Sequence, residues 1–385
     1  MYRVRTLANG ERLTIVLLAS ASSVHTHGWA TALNRVGHRV VVVSWQPGPR
    51  IPGVDLRIAP AVDARPARRA PMAVFWLRKL IRDVHPDVVH ILSLGTYGLL
   101  SLALPKGPAR VLNPYGGELR AARRSPARAA VLRLALRRGD MVLPVSEELR
   151  AEIVTRYAIP AERVQVLSWG VAEDLIAAQP LISPKAVRSS FGIPHDATIV
   201  LSVRTISATY RTLDIVSAFA QAVADRPDLF LVLLVGARVD RESALRDQEA
   251  YFDRVREAAR PVADRVLIIE RTLSREQTFD LMCASDIVVS IPPEDQHSFS
   301  VLEAALAGPR ILLSNIPPNQ QMTSDGMTAD LLGEPIARTL AQKLREVSVD
   351  ELTQRRNRDY ILSREHGGKK LAEHEQIFRW LSRYT

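Results

Sequence analysis

One cysteine, Cys283, in 385 residues excludes a disulfide framework and points to a reducing compartment. It lies in an apolar helical pattern and reads as a core thiol. Aromatic residues make up 5% of the chain, too few for a platform on which nucleic-acid bases could stack. No nucleic-acid-binding module signature is present, so nucleic acid is not an expected partner. No apolar run reaches the ~18 residues of a spanning helix. The absence of G-x-G-x-x-G leaves a nicotinamide or flavin site unsupported. No cluster of His, Cys and acids has metal-ligand spacing, so neither metal nor cofactor is expected. The 24 prolines and 19 glycines are dispersed, with no repeat or low-complexity tract.

The chain is longer than one usual domain, and its 47% hydrophobic content can fill two cores. The net charge of +10 is mostly arginine and favours anionic partners without choosing among them. Arg3, Arg5 and Arg12 before Leu13–Leu18 imitate a secretory signal, followed by Ala19-Ser20-Ala21. The apolar run is shorter than such a segment needs, and it reads better as a first core strand.

Residues 290–315 carry the densest information. The acidic pair Glu294-Asp295 leads into Ser298-Phe299-Ser300, a helical run, Gly308-Pro309 as a stop, and the apolar strand Ile311-Leu312-Leu313. Ser300 and Glu303 fit a capping box. A loop entering a helix N-terminus is a natural seat for phosphate, because that end offers free N–H groups and partial positive charge. The plainer alternative makes Glu303 a cap of its own helix and Asp295 a solvated acid.

Strand–helix–strand patterns run through both halves. Strands are expected at 12–19, 39–44, 110–114, 140–145, 198–204, 230–236, 265–269 and 286–290, with helices at 28–36, 73–84, 213–225, 274–284, 335–346 and 370–383. Such alternation predicts doubly wound α/β domains. Residues 119–139 form a basic stretch holding Arg120, Arg123, Arg124, Arg128, Arg133, Arg137 and Arg138 among apolar residues, with Pro126 opening its second helix. It suits an anionic membrane or simply a solvated basic face.

Several of these segments resemble the family 4 retaining glycosyltransferases. Asp295 and Glu303 are seven residues apart, as in that family's paired-acid signature, and Leu302-Glu303-Ala304-Ala305 follows its pattern. Pro86-Asp87-Val88-Val89-His90, Tyr115-Gly116-Gly117-Glu118-Leu119, Asp140–Leu149, Arg163–Val171 and Ser314–Asn319 resemble further family segments in the same order. Tyr115 stands where some relatives carry a histidine. No lysine follows Arg204 where relatives have one, and Arg211 is the nearest cation.

The resemblance implies the GT-B architecture: two doubly wound, Rossmann-like α/β domains facing across a cleft. Residues 1–177 would bind the acceptor, and 178–196, irregular in pattern with Pro180, Pro184 and Pro194, would be the linker. Residues 197–363 would bind the sugar nucleotide, and 364–385 would be a helix packing back on the first domain. It implies transfer of a hexose-type sugar from a nucleoside-diphosphate sugar to a hydroxyl acceptor, small-molecule or lipid-linked, with retention. Asp295, Glu303 and Arg204 would be catalytic. Arg204, Arg211, Gly236, Arg271, Asp295, Ser298, Phe299, Ser300 and Glu303 would contact the donor. His25, His27, Gly28, Tyr115 and Gly116 would contact the acceptor. The nucleotide sugar is a co-substrate, and no metal or other cofactor is implied. The expected location is cytoplasmic, with an anionic membrane face as a further partner. Other readings are a GT-B sugar-nucleotide epimerase, a phosphorylase-like enzyme and a non-catalytic binding or membrane scaffold.

Overall fold

Twelve strands form two sheets of six in a computed structural model of the chain, which describes residues 11–60, 66–236, 242–346 and 351–383. The signal-like Arg3 and Arg5 lie outside the described residues. The strands are β1 (Thr14–Leu18), β2 (Arg39–Ser44), β3 (Asp55–Ile58), β4 (Val88–Leu92), β5 (Ala109–Asn113) and β6 (Met141–Val142) in the first sheet. The second holds β7 (Thr198–Thr205), β8 (Leu229–Leu234), β9 (Val266–Ile269), β10 (Ile287–Ser290), β11 (Arg310–Ser314) and β12 (Asp330–Leu332).

Every pairing in both sheets is parallel. The first sheet runs β3-β2-β1-β4-β5-β6 and the second β9-β8-β7-β10-β11-β12, the same order counted from each sheet's first strand. This is the Rossmann order, and it reverses between β1 and β4, and again between β7 and β10. The strands are nearly unbroken apolar runs because helices cover both faces. Around β7, Ile199, Leu201 and Val203 join one buried cluster while Val200 joins the other. β8 alternates likewise, with Phe230, Val232 and Leu234 opposed to Leu229, Leu231 and Leu233. Cys283 packs at the edge of one cluster, and burial pushes its thiol up to about 12.

The chain divides into two compact units, residues 1–169 with 368–385, and residues 170–367. The final helix, Gly367–Ser382, therefore counts with the first unit, burying Leu371, His374, Ile377, Phe378 and Leu381. Residues 178–196, expected to be an irregular linker, are instead part of the second unit. Ser183 caps a helix over Pro184–Phe191, accepting from Ala186 N. Ile193 is buried in the second unit's core, and Ile182 and Phe191 pack against it. Pro184 occupies the first turn of this helix, where a missing N–H costs nothing.

Two boundaries also differ. The first helix spans Val24–Arg35, so it begins four residues before Gly28. Extended Ser23 starts it, and Thr26, Trp29, Ala30 and Leu33 bury one face. Residues 163–168 make no named strand; only Val164 bridges to Val142.

His90 on β4 and His374 on the final helix are fully buried, beside Trp29 and Phe378. His374 Nδ1 lies 2.8 Å from the Lys370 carbonyl, which fixes the neutral tautomer with its proton there. Burial pushes His374 down to about 3 and His90 well below its ordinary value. The unfolded chain takes up protons on these histidines from about pH 6.5 downward while the folded chain does not, so acid favours unfolding. Held at about 3 in the folded chain, His374 should cost about 2 kcal/mol by pH 5, at about 1.4 kcal/mol per pH unit. Denaturant unfolding from pH 8 to 5 should therefore show falling stability, with a slope shallower by up to about one proton in His374→Phe. An unchanged slope would mean that His374 is not held neutral.

Candidate functional site

The strand order puts the carboxyl ends of β7 and β10 side by side where the topology reverses, the usual place for a ligand in such sheets. β7 ends with Arg204 and Thr205. β10 ends at Ser290 and opens into residues 291–298, which feed the helix Phe299–Ala307. The two segments meet at Arg204. Its Nη1 donates to Ser298 Oγ and to Ser300 Oγ at 3.3 Å, and lies 3.0 Å from Asp295 Oδ2. Its Nη2 donates to the Tyr210 hydroxyl at 2.7 Å, with the guanidinium carbon 4.2 Å from the Tyr210 ring centre.

Ser298, not Ser300, is the N-cap residue, and it makes no side-chain cap bond. Both hydroxyls are instead engaged by Arg204. The helix so opens toward the guanidinium without a side-chain cap, with Val301 N and Leu302 N donating to the Ser298 carbonyl and the positive end of the helix lying at this entrance. Phe299 is its first residue.

Glu303 does not cap this helix either. It is buried, and its Oε1 accepts from Arg275 Nε at 2.9 Å and Nη2 at 2.8 Å. Burial raises its carboxyl above the ordinary value, opposed by the Arg275 charge. Sequence reasoning missed Arg275. Its own helix, Arg275–Cys283, carries a true capping box: Ser274 Oγ accepts from Gln277 N, and Gln277 Oε1 from Ser274 N, both at 3.1 Å.

The remaining donor candidates are dispersed around this core. Gly236 follows β8 with φ +75, and a Cβ there would lie 2.1 Å from Thr205 Cγ2. Glycine is therefore what allows the ends of β8 and β7 to approach. Arg211 has φ 52 and pairs with exposed Glu334 at 2.6 Å. Arg271 donates to Gln277 Oε1 at 3.3 Å and lies 5.3 Å from the Phe191 ring centre.

In the first unit, His25, His27 and Gly28 lie in the first turns of the helix Val24–Arg35 rather than in an open loop. His27 Nε2 is 2.8 Å from the Ala21 carbonyl. His25 stands edge-on to Tyr115 at 6.0 Å and to Trp169 at 5.8 Å between ring centres. Tyr115 follows β5 and packs on Trp169 at 5.4 Å. Gly116 turns the chain with φ +93. Glu118, also missed, is the clamp here: its Oε1 accepts from Leu94 N and Tyr115 N, each at 2.9 Å. Burial raises its carboxyl, and those N–H bonds oppose the rise. Among the described residues no group of three or more His, Cys, Asp or Glu could hold a metal, and no helix is long and apolar enough to cross a membrane.

Two six-stranded parallel sheets of Rossmann order, one in each unit, make this a GT-B fold protein. Residues 22–175 match the family model described as Glycosyltransferase Family 4. Solved structures align over nearly all of the chain. The sucrose-phosphate synthase of Thermosynechococcus elongatus does so at TM-score 0.80 and 17% identity, covering 96% of this chain and 99% of that one. Anabaena HepE in complex with UDP and glucose aligns at TM-score 0.75 and 15% identity, covering 96% and 100%. WaaG, a glycosyltransferase involved in lipopolysaccharide biosynthesis, aligns at TM-score 0.72 and 17% identity, covering 94% and 99%. No curated protein matches by sequence.

The Gly236 contact makes a direct prediction. Gly236→Ala should destabilise the chain by about 1–3 kcal/mol, from the clash and from the positive φ. Adding Thr205→Ser removes the clashing methyl and should recover part of the loss in a denaturant titration. No recovery would show that Thr205 is not the obstacle.

Proposed function

We propose that the protein is a retaining glycosyltransferase that moves a hexose-type sugar from a nucleoside-diphosphate sugar to a hydroxyl acceptor. The observation that carries this is Arg204 at the strand-order reversal of the second unit, drawn to Ser298, Ser300 and Asp295 at a helix N-terminus. Departure of a nucleoside diphosphate builds negative charge on the leaving oxygens. A guanidinium and a helix N-terminus fixed beforehand stabilise that charge without reorganising during the reaction. Asp295 is the carboxylate nearest Arg204 and would orient the sugar. Glu303 would take the ribose hydroxyls. Retention and the hexose follow from the family resemblance, and the UDP and glucose bound by the structurally similar HepE make UDP the first nucleotide to test. No residue here is assigned to a metal. The chain would act in the cytoplasm.

The membrane partner rests on charge and exposed apolar side chains together. Helices Pro66–Val84, Thr96–Ser101 and Pro126–Arg138 leave Met72, Phe75, Leu99 and Leu134 exposed, with Phe75 at 69%. Arg78 donates to the Ala103 carbonyl at 3.0 Å and Arg138 to that of Leu102, tying the outer two helices to the end of the middle one. Arg128, Arg133 and Arg137 are exposed on the same basic helix as Leu134. Aromatic and aliphatic side chains among arginines suit an anionic bilayer surface, and a lipid-linked acceptor would be met there.

Thermal shift with UDP, GDP, ADP and their sugars tests the donor reading. A nucleotide at 100 times its dissociation constant should add about 2.7 kcal/mol. Glu303→Gln should weaken that nucleotide by about tenfold or more, the worth of a hydrogen bond to a charged group. Silence toward every nucleotide would favour the non-catalytic reading. Vesicle co-sedimentation tests the membrane. Pelleting with anionic but not neutral vesicles, weakened by salt and by Phe75→Ser with Leu134→Ser, is expected. Equal recovery in the supernatant with both vesicle types would remove the membrane from the proposal.

A further inference from the structure

Arg275 has no place in the motifs that led to Glu303, yet it determines what that carboxylate can do. Two of its nitrogens converge on one oxygen, Oε1, at 2.8 and 2.9 Å. A guanidinium commonly grips a carboxylate with two parallel bonds, one to each oxygen. Here both bonds fall on the same oxygen. The second oxygen keeps its acceptor capacity, and the pair keeps its charge.

The surroundings make this geometry rigid. Arg275 is the first residue of its helix, and the Ser274–Gln277 capping box fixes the backbone from which it projects. Gln277 Oε1, already accepting from Ser274 N, also accepts from Arg271 at 3.3 Å. Glu303 is held within a helix whose residues 301–307 are all buried. The other charges that act on its carboxyl are Asp174, on the helix Glu173–Ala178, and Glu276, beside Arg275. Both are acidic and disfavour the ionised form. Arg275 is thus the cation among these charges, and it alone of them favours the ionised form.

We propose that Arg275 is the positioning residue of the nucleotide site, holding Glu303 as a carboxylate whose second oxygen selects ligands with a free ribose hydroxyl pair. This deepens the donor reading above and rests on it. The contact would be acceptor-only, so it would reject a deoxyribose by the bonds it could no longer make. Arg275→Gln would leave Glu303 among Asp174 and Glu276 alone, and its ionisation would move upward.

The test is calorimetric binding of UDP against 2′-deoxy-UDP and 3′-deoxy-UDP, from pH 6 to pH 9, on the full chain. ADP or GDP and their deoxy forms replace UDP where they bind more tightly. Wild type should prefer the ribonucleotide by about tenfold or more at every pH. Arg275→Gln should weaken that preference, more at pH 6 than at pH 9, and Arg275→Lys should restore most of it. A merely structural arginine would lower affinity for all three nucleotides alike, with no pH-dependent preference. The inference is overturned if Arg275→Gln keeps the wild-type preference at pH 6, or if wild type does not distinguish the deoxy forms. Absence of binding by wild type to any nucleoside diphosphate overturns the donor reading and this inference together. Should Arg275→Gln fail to fold, Arg275→Met takes its place under the same criteria, and wild-type preference in it at pH 6 overturns the inference.

Discussion

A guanidinium at the end of a core strand needs oxygens around it, and Arg204 takes them from the neighbouring helix entrance. Ser298 would ordinarily turn its hydroxyl back onto the first turn of its own helix. Here that hydroxyl and the one on Ser300 face Arg204, with Asp295 at 3.0 Å completing the charge. The helix gives up a cap bond, typically worth about 1 kcal/mol. The second unit gains a fixed cation beside an open helix N-terminus. β7 and β10 must be neighbours for this to happen, which is a property of the strand order. Gly236 must lack a side chain for β8 to close beside β7. The site is therefore a consequence of sheet topology plus one diverted cap.

Glu303 shows the same economy in the opposite sign. A carboxylate buried in an apolar helix is costly unless it is paired. A capping role would have satisfied it locally, and the spacing Ser300–Glu303 suggested that role. The pair with Arg275 satisfies it from another helix and leaves the helix entrance unobstructed. Neither the Ser298 hydroxyl nor the Glu303 carboxylate caps its own helix.

Much of the fold was legible because burial on both faces leaves an unbroken apolar run, as in Val40–Val43 or Ile199–Leu201, that few other structures produce. The site's local half was legible for a similar reason: Asp295, Ser298 and Glu303 lie within one short stretch and share a pattern. What could not be read depends on partners distant in sequence. Arg275 meets Glu303 across 28 residues, and Arg204 meets Ser298 across 94. Glu118 clamps Leu94 and Tyr115 with no periodic signal. The error at 178–196 was of another kind. Prolines at 180, 184 and 194 looked like a linker, although Ser183-Pro184 is also how a helix begins. The helix at Val24 was hidden because Gly28 reads as a start and sits instead in its interior.

The two sheets share one strand order, so topology alone offers each unit a crevice at the same place. Their side chains make the crevices electrostatically unlike. In the first unit the region after β4 and β5 is closed by ring-on-ring packing of His25, Tyr115 and Trp169. Its buried Glu118 already accepts the local N–H groups, which a phosphate would otherwise need. In the second unit the corresponding place presents a cation and an uncapped helix end, while its acids, Asp295 and Glu303, are each held by an arginine. The diphosphate of the proposed donor would therefore suit the second unit on charge, and a neutral, hydroxyl-bearing acceptor the first. The contrast in charge comes from side chains placed on a duplicated topology, not from the topology itself.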